Sequence, residues 1–314
     1  MGSVWISGAG GFIGRHLARA LKAQGELVSG LGHGPWLEHE RQHVGISTWI
    51  KGDVSLSNLE QMMGLAGKPE TIFHLAGGSS VAHAIGNPHD DFSRTVDSIA
   101  ELLEWVRLRS PSTRIVAVSS AAVYGSGHMA PISEHARMSP ISPYGVHKLM
   151  MEQACKSYAE TYGLNIIMPR LFSVYGPGLR KQLLWDLCQK LLSQPTVELG
   201  GTGDELRDWT DIRDIVRILA RMAELASPRA PSINLATGMA TPVKEVAHLV
   251  LEQWGRNDLG SAVRFNGKSR AGDPISLVAD TQLLSTFGFE TRILVAQGII
   301  EYVTWFRSLA GSAL

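Results

Sequence analysis

Two residues with complementary proton chemistry, Tyr144 and Lys148, lie four positions apart in the segment S-P-Y-G-V-H-K. On a helix this spacing places both side chains on one face, where they can act on the same substrate atom. A free phenol has a pKa of about 10, and a lysine ammonium beside it favours the phenolate and lowers that pKa. Ser119 and Ser120, some two dozen residues earlier, offer a hydroxyl for the same substrate oxygen. The four residues predict a site for proton transfer in alcohol–ketone interconversion.

A glycine-rich turn near the N-terminus separates a predicted strand from a predicted helix. Ser3–Ser7 is an apolar run of strand formers, and residues 15–24 have helical periodicity. Between them, Gly8 permits a tight turn, Gly11 lets the backbone approach a pyrophosphate, and Gly14 allows close helix–strand contact. The helix N-terminus favours an anion. This context predicts a dinucleotide site, although the first glycine gap is one residue longer than in G-x-G-x-x-G.

These segments, with several others in the same order along nearly the whole chain, resemble the extended short-chain dehydrogenase/reductase family. Within that family the resemblance is to the nucleotide-sugar epimerases, dehydratases and reductases. The matching motifs cover residues 7–14, 52–54, 74–77, 119–125, 144–148 and 170–177. Two later segments, 207–209 and 270–273, are similar to the family's nucleotide-diphosphate contacts.

The resemblance implies a role for each matching residue. Tyr144 is the acid or base at the sugar hydroxyl, and Lys148 binds the nicotinamide ribose. Ser120 is the hydroxyl partner, with Ser119 left open as the alternative. The implied dinucleotide contacts are Gly8, Gly10, Gly11, Phe12, Ile13, Gly14, Gly32, His33, Asp53, Val54, Leu75, Ala76, Gly77, Ser119, Tyr144 and Lys148. The implied substrate contacts are Ser79, Ser120, Tyr124, Ser173, Arg207 and Arg270.

Some neighbouring residues have more than one reading. Tyr124 either reaches the sugar or packs against the second region, and the sequence leaves both roles open. Arg207 and Arg270 carry the charge that suits a nucleotide diphosphate. His147 lies inside the tyrosine–lysine segment but off its shared face, so we expect it at the surface and outside catalysis.

The composition excludes several classes of function. The chain of 314 residues carries 29 basic and 29 acidic residues, so no basic excess indicates a nucleic-acid partner. Cys155 and Cys188 are far apart and form no zinc pattern, which predicts buried free thiols and no metal. No apolar run approaches the roughly 18 residues that span a bilayer, and the first run is too short for a signal peptide. We therefore expect a cytoplasmic protein without membrane partners.

Strand-length apolar runs alternate with helical patterns in the first half of the chain. This alternation predicts an α/β fold with a Rossmann-type doubly wound parallel sheet, and ligands at the carboxyl ends of its strands. We expect an NAD(P)-binding domain over residues 1–175 and a smaller α/β substrate-binding region over 176–314, partly interleaved with it. The predicted strands are 26–31, 71–75, 114–119, 165–171 and 232–235, and the predicted helices are 55–66, 90–109, 144–162, 181–193, 211–226, 242–254 and 294–307.

The end of the second strand bears on the choice of cofactor. Its sequence is G-L-G-H-G over residues 30–34. NAD-selective relatives usually carry an acidic residue near Gly32, where it binds the adenosine 2′-hydroxyl. Here a 2′-phosphate is not repelled, and His33 or Arg41 can attract it. The resemblance therefore implies NAD(P), with NADP(H) slightly favoured.

Three other departures from the family pattern restrict the reaction. Ala121 and Ala122 stand where the sugar 4,6-dehydratases place an Asp-Glu pair, so dehydration is disfavoured, and a related decarboxylation lacks its glutamate. Thr95 and Ser173 each replace an asparagine, and the second of these commonly contacts the substrate diphosphate. Both changes count against a standard UDP-galactose 4-epimerase.

Two reactions at C4 of a nucleotide-diphosphate sugar remain open. In a 4-epimerase, Tyr144 removes the C4 hydroxyl proton and the cofactor is recycled. In a 4-reductase, NADPH reduces a 4-keto-6-deoxy sugar while Tyr144 donates a proton. The missing acidic residue favours the reductase, and the order of the motifs favours the epimerase. A non-catalytic NADP(H)-binding sensor or scaffold is the alternative, which the presence of Ser120, Tyr144 and Lys148 disfavours. The sequence does not specify the base or the sugar.

The resemblance also implies a homodimer, formed through the helices predicted over 90–109 and 144–162. The residues that could supply the dimer face are Met150, Met151, Ala154, Tyr158, Leu102, Leu103 and Val106. The same residues could instead be buried against the sheet, and the sequence leaves that alternative open.

Overall fold

The computed structural model describes residues 2–34, 36–128, 131–255, 262–268 and 274–311. The chain divides into two compact units. The first unit comprises Met1–Gly125, Glu134–Leu171 and Val216–Leu235, and the second comprises Ser126–Ser133, Phe172–Ile215 and Ala236–Leu314. Each unit is therefore assembled from segments that are distant in sequence.

The first unit is built on a parallel sheet. Its strands are β1 (Ser3–Ser7), β2 (Leu27–Gly32), β3 (Ile46–Lys51), β4 (Thr71–His74), β5 (Arg114–Ala117), β6 (Ser119–Ser120), β7 (Asn165–Leu171) and β12 (Ser232–Leu235). Their order is β3-β2-β1-β4-β5-β7-β12, and β6 also pairs with β7. The register sets Ser7 beside Leu31 on one side and His74 on the other. This topology confirms the predicted Rossmann-type fold and brings the strand ends that carry the motifs to one edge.

Helices connect these strands. They are α1 (Phe12–Ala23), α2 (Glu38–Val44), α3 (Leu56–Ala66), α4 (Val81–Gly86), α5 (Pro88–Phe92), α6 (Ser98–Arg109) and α7 (Pro143–Tyr162), with a π-helical turn at Ser93–Asp97 and a 3₁₀ turn at Ala121–Val123. The start of α7 is fixed by its cap, because the Ser142 hydroxyl accepts a hydrogen bond from the Gly145 N–H at 3.2 Å and Pro143 takes the first helical position. The helix ends at Gly163, which has a φ of 72°.

Helices α6 and α7 bury apolar faces in the core of the first unit. Leu102, Leu103, Val106 and Met151 are each 0% exposed and lie in one cluster with sheet residues. Of the two alternatives that the sequence left open for these four residues, the structure shows burial against the sheet. Met150 is 38% exposed. The remaining two residues, Ala154 and Tyr158, are partly buried against the same core.

The second unit contains short strands and longer helices. Its strands are β8 (Ser173–Tyr175), β9 (Val197–Leu199), β10 (Leu206–Arg207), β11 (Trp209–Asp211), β13 (Thr241–Pro242), β14 (Val263–Phe265) and β15 (Ser276–Leu277), and its helices are α8 (Gln182–Ser193), α10 (Val243–Trp254), α11 (Gln282–Thr286) and α12 (Val295–Gly311). β8 pairs with β11, β9 with β14, and β10 lies between β13 and β15. Helix α9 (Ile212–Met222) begins in the second unit and ends in the first.

Neither a membrane-spanning helix nor a metal-ligand cluster occurs among the described residues. Within the described ranges, no helix combines the length and the apolar character required to cross a membrane. In the same part of the chain, no group of three or more His, Cys, Asp or Glu is placed to hold a metal ion. Cys155 and Cys188 are free and buried, which confirms the prediction for the thiols, and burial raises the pKa of both.

Candidate active site

Ser120, Tyr144 and Lys148 lie where β6 ends and α7 begins. Ser120 is the last residue of β6 and Tyr144 lies in the first turn of α7, with the Ser120 hydroxyl placed to bond the phenol and lower its pKa. Lys148, one turn later, is buried, and its Nζ donates to the Val118 carbonyl oxygen at 2.9 Å. The fold therefore places all three predicted catalytic residues at the same end of the sheet.

Burial dominates the acid–base properties of this group. Burial raises the pKa of Tyr144; the hydrogen bond with Ser120 opposes that shift, and the Asp91 carboxylate adds to it. Burial lowers the pKa of Lys148 to about 8, although the carboxylates of Asp91 and Glu152 act to raise it. The sequence pattern predicted a lowered pKa for Tyr144, and the structure shows the opposite direction. The reason is that the phenol loses water, which favours its neutral form.

His74 ties the turn after β4 to the turn after β1. Its ring is 0% exposed, with Nδ1 2.9 Å from the Ser7 hydroxyl and Nε2 3.4 Å from the Ser98 hydroxyl. Burial lowers the pKa of His74 to about 3, and the positive charge of Lys148 acts in the same direction. The imidazole is therefore neutral at physiological pH and serves as a hydrogen-bonded spacer. Ser7 also accepts from the Ala76 N–H at 3.4 Å, which fixes the predicted cofactor loop at 75–77.

Gly8, Gly11 and Gly14 form a turn in which side chains have no room at Gly8 and Gly14 and little room at Gly11. Gly8 has a φ of 73°, and a Cβ there would lie 2.8 Å from the Ala76 backbone nitrogen. A Cβ on Gly14 would overlap the carbonyl oxygen of Gly8. Helix α1 begins at Phe12, and Gly11 caps it without a side-chain hydrogen bond. The turn thus fits the pyrophosphate of a dinucleotide, which these residues, with Gly10 and Ile13, would hold at the positive end of α1.

Replacing Gly14 by alanine tests this glycine turn. The added methyl group is expected to abolish detectable NADH binding and to lower the free energy of unfolding by about 1–3 kcal/mol, because the close approach of α1 to Gly8 would be lost. NADH fluorescence titration and urea unfolding measure the two effects. The matched control is Gly64→Ala in α3, where a Cβ would meet no atom within 4 Å. This control variant should leave NADH binding unchanged and should raise the free energy of unfolding by about 0.5–1 kcal/mol. Tight NADH binding by Gly14→Ala would contradict the role of the turn.

His33, one of the two residues expected to attract a 2′-phosphate, is paired with the carboxylate of Asp53. Nε2 of His33 lies 2.8 Å from Oδ1 of Asp53, and both side chains are exposed. The Asp53 charge therefore opposes the attraction that the sequence assigned to His33. Beside them, a Cβ on Gly32 would lie 3.3 Å from the Trp49 ring, so an aromatic side chain lines the position where NAD-selective relatives carry their acid. Val54, also predicted near the cofactor, packs its side chain into the core.

The loop after β4 lies against Lys148 at Gly77 and is bonded to Thr95 at Gly78. Gly77 has a φ of 140°, and a Cβ there would lie 3.3 Å from both the Lys148 Nζ and the Thr95 hydroxyl. The Gly78 N–H donates to the Thr95 hydroxyl at 2.9 Å. The threonine that replaces the family's asparagine thus keeps a polar contact with this loop.

Ser119 and Tyr124 belong to a buried polar network around an ion pair. Arg170 and Glu152 are each 1% exposed, with Nη2 and Oε2 2.7 Å apart and Nε and Oε1 2.9 Å apart. The Ser119 hydroxyl donates to Glu152 at 2.6 Å. The Tyr124 hydroxyl accepts from Arg170 at 2.8 Å and donates to Asn234 at 2.6 Å.

These contacts bear on two sequence-based assignments. Ser119 was expected among the cofactor contacts, but its hydroxyl is bonded to Glu152, and Ser120 is the residue that bonds Tyr144. For Tyr124, an implied substrate contact, the sequence left sugar contact and packing both open; it is 0% exposed and its hydroxyl is bonded on two sides, which favours the packing role. Glu152 itself was missed. The available signal was its position four residues after Lys148, on the same face of α7.

The remaining predicted substrate contacts lie in different parts of the chain. Ser79 is exposed in the loop after β4, in the first unit. Ser173 begins β8 and Arg207 ends β10, both in the second unit. The Arg207 Nη1 donates to the Leu206 carbonyl oxygen at 2.9 Å. Arg270 lies outside the described residues.

The residue after Arg207 anchors β10 within the second unit. The Asp208 carboxylate is 0% exposed and accepts from the N–H and hydroxyl of Thr237, at 2.8 and 2.6 Å, and from the Gly238 N–H at 2.8 Å. Burial raises the pKa of Asp208, and these hydrogen bonds oppose the shift. Asp208 therefore fixes the strand that carries Arg207.

The sequence predicted that His147 lies at the surface, and this prediction is wrong. It is 9% exposed, and its Nδ1 lies 2.6 Å from Oδ2 of the buried Asp91. Its ring also packs edge-on against Phe92, at 5.4 Å between centroids. The prediction failed because α5 packs against the side of α7 that carries His147 and covers it.

Comparison with known proteins identifies the family. The model of the NAD dependent epimerase/dehydratase family matches residues 4–236, which is most of the chain. The chain belongs to this family. The resemblance inferred from the motifs is thereby confirmed, and an NAD-dependent enzyme is the class that the family supports.

Individual members of the family match this chain over nearly its full length. The UDP-glucose 4-epimerase of Mycolicibacterium smegmatis is 28% identical, over 96% of this chain and 98% of its own length. The structure of MoeE5 in complex with UDP-glucuronic acid and NAD is 30% identical, with a TM-score of 0.85, over 98% of this chain and 100% of that one. The structure of DesIV from Streptomyces venezuelae, a dTDP-glucose 4,6-dehydratase with NAD and TYD bound, is 25% identical, with a TM-score of 0.88. The match covers 99% of this chain and 98% of that one.

Proposed function

We propose that this protein interconverts the C4 epimers of a nucleotide-diphosphate sugar. The observation that carries the proposal is the placement of Ser120, Tyr144 and Lys148 together where β6 ends and α7 begins. Two relatives support it: one is a UDP-glucose 4-epimerase, and MoeE5 was solved with UDP-glucuronic acid and NAD. The substrate class that we propose is a UDP-hexose or UDP-hexuronic acid.

The proton chemistry follows from the three side chains. Tyr144 takes the proton of the C4 hydroxyl and returns it after the 4-keto sugar has presented its other face. Ser120 donates a hydrogen bond to the same oxygen, and the Lys148 ammonium, held by the Val118 carbonyl, stabilises the phenolate. The bound dinucleotide supplies the hydride acceptor and donor at C4. Because burial raises its pKa, the Tyr144 phenolate is a strong base once it forms.

Dehydration is not part of this proposal, although DesIV has a similar fold. The Asp-Glu pair that the resemblance requires is replaced by Ala121 and Ala122, which begin a 3₁₀ turn. Neither alanine can donate or accept a proton. Similar backbones therefore support different chemistry, which the side chains after Ser120 decide.

A second candidate is a 4-reductase, favoured by the absence of an acidic residue at Gly32. One experiment separates it from the epimerase. The purified protein is denatured, and any released nucleotide is identified by chromatography and mass. We expect stoichiometric NAD⁺ or NADH, which indicates a recycled cofactor. An empty protein that takes up NADPH far more tightly than NADH would favour the reductase.

We further propose NAD as the cofactor, in place of the NADP(H) that the sequence slightly favoured. The Asp53 carboxylate beside His33 should repel a 2′-phosphate. NADH is therefore expected to bind on the order of tenfold more tightly than NADPH at low salt, as measured by fluorescence titration. Asp53→Asn should narrow this ratio, and Glu60→Gln, which removes a partly exposed carboxylate on α3, should not. Tighter binding of NADPH by the unaltered protein would reverse the proposal.

The homodimer implied by the resemblance also remains a proposal. Val146 and Met150 are 40% and 38% exposed on α7, which leaves an apolar strip outside the core. A second copy of the chain could cover it. Light scattering would support the proposal with a dimer mass and count against it with a monomer mass.

A further inference from the structure

A buried acid–base pair lies behind the proposed catalytic residues. Asp91 of α5 is 1% exposed, and its Oδ2 lies 2.6 Å from Nδ1 of His147. The second oxygen, Oδ1, is buried and has no hydrogen-bond partner among the described residues. It lies against Gly78, where a Cβ would overlap it. A buried carboxylate with one free oxygen is costly unless a positive charge is near.

The compensating charge comes from α7. The Lys148 Nζ lies against Gly77, where a Cβ would be 3.3 Å away, and Oδ1 of Asp91 lies against the next residue, Gly78. The Asp91 charge acts to raise the pKa of both Lys148 and Tyr144. His147 lies between these two residues in sequence and donates to the same carboxylate, so α7 contributes three groups that interact with it.

The other charged groups near α5 and Lys148 are engaged in ion pairs. Asp90 pairs with Arg94 at 2.9 Å and lies 3.9 Å from His83 of α4, and all three are at least 42% exposed. Glu152, further along α7, is bonded to Arg170 and also acts to raise the pKa of Lys148. Asp91 is therefore the carboxylate that acts on both members of the tyrosine–lysine pair.

We propose that Asp91, held in place by His147, is a positioning residue that sets the balance of protons between Tyr144 and Lys148. This inference rests on the proposed function, because it assigns Asp91 an effect on proton transfer at C4. The alternative is that Asp91 only fastens α5 to α7. Asparagine at position 91 separates the two roles. It keeps the shape of the side chain and can still accept the hydrogen bond from His147, which is enough to fasten the helices. It has no charge, which the proposed role requires.

The test compares Asp91→Asn with Asp90→Asn, the matched loss of a carboxylate at the partly exposed neighbouring position. Because Asp91 raises the pKa of Tyr144 and Lys148, its removal lowers both. Turnover that requires the phenolate and the ammonium gives a bell-shaped pH profile. Both limbs should move to lower pH in Asp91→Asn and stay in place in Asp90→Asn. Unmoved limbs in Asp91→Asn, or equal shifts in both variants, would overturn the proposal.

A measurement without substrate keeps this test independent of the proposed function. The ultraviolet absorbance of the Tyr144 phenolate is obtained as the difference between each protein and its Tyr144→Phe counterpart. The phenolate should form at lower pH in Asp91→Asn than in Asp90→Asn, even if no sugar is turned over. If Asp91→Asn does not fold, Asp91→Asn/His147→Gln replaces it, since two amides can bond each other. The inference would be refuted if the Tyr144 phenolate formed at the same pH with and without the Asp91 charge.

Discussion

Replacing Tyr144 by phenylalanine is expected to lower kcat by about 10²–10⁴-fold, the usual contribution of a positioned general acid–base group. The phenol is the group that exchanges the C4 hydroxyl proton, and phenylalanine keeps the ring while removing the hydroxyl bonded to Ser120. NADH binding and the free energy of unfolding should change little. Steady-state kinetics with a UDP-sugar, fluorescence titration and urea unfolding together separate lost chemistry from lost structure.

The matched control is Tyr158→Phe on the same helix. Tyr158 is half-buried, and its hydroxyl donates to Glu104 at 3.3 Å, on the face shared with α6. Its removal should leave kcat near the unaltered value. Full turnover by Tyr144→Phe would sink the catalytic assignment and would revive the non-catalytic binding protein as an alternative.

The second large effect is expected on stability, at the buried ion pair of Arg170 and Glu152. Glu152→Ala leaves a guanidinium that is 1% exposed without its carboxylate. Breaking a buried pair in this way costs about 3–5 kcal/mol, because the remaining charge has no compensation. Ser119 loses its acceptor as well. Glu152→Ala should therefore unfold at a much lower urea concentration, while the dependence of its free energy of unfolding on urea concentration stays unchanged.

A surface pair of the same chemistry provides the comparison. Glu104 and Arg107 lie 2.6 Å apart and are each 33% exposed. Glu104→Ala should change the free energy of unfolding far less, because water screens this pair and solvates the residue that remains. Replacing both buried partners by methionine should recover much of the loss, since no charge is left unpaired. Equal effects at the two sites would contradict the assigned role of the buried pair.

The parts of the site that the sequence predicted are those set by local spacing. Gly8, Gly11 and Gly14 occupy fixed places in a strand–turn–helix unit, and the i, i+4 spacing of Tyr144 and Lys148 holds on any helix. The sheet followed from apolar runs separated by helical patterns. Each of these inferences needs only neighbouring residues.

The parts that failed depend on long-range packing. The pKa of Tyr144 moves upward because burial outweighs the hydrogen bond with Ser120, and spacing carries no measure of burial. His147 is buried because Asp91, 56 positions earlier, packs against it. Met151 lies in the core because α7 presents its apolar face to the sheet. A single sequence shows that a helix is apolar on one side, but not which surface covers that side.

The central claim is that the Tyr144 site epimerises a nucleotide sugar at C4. The most direct test incubates the protein and NAD with UDP-glucose or UDP-glucuronic acid carrying deuterium at C4, and follows the products by chromatography and mass. We predict the C4 epimer of at least one substrate, with the deuterium retained at C4 and no net consumption of NAD. A protein that binds NADH but yields no epimer of either sugar, or a product that has lost the deuterium, would contradict the claim.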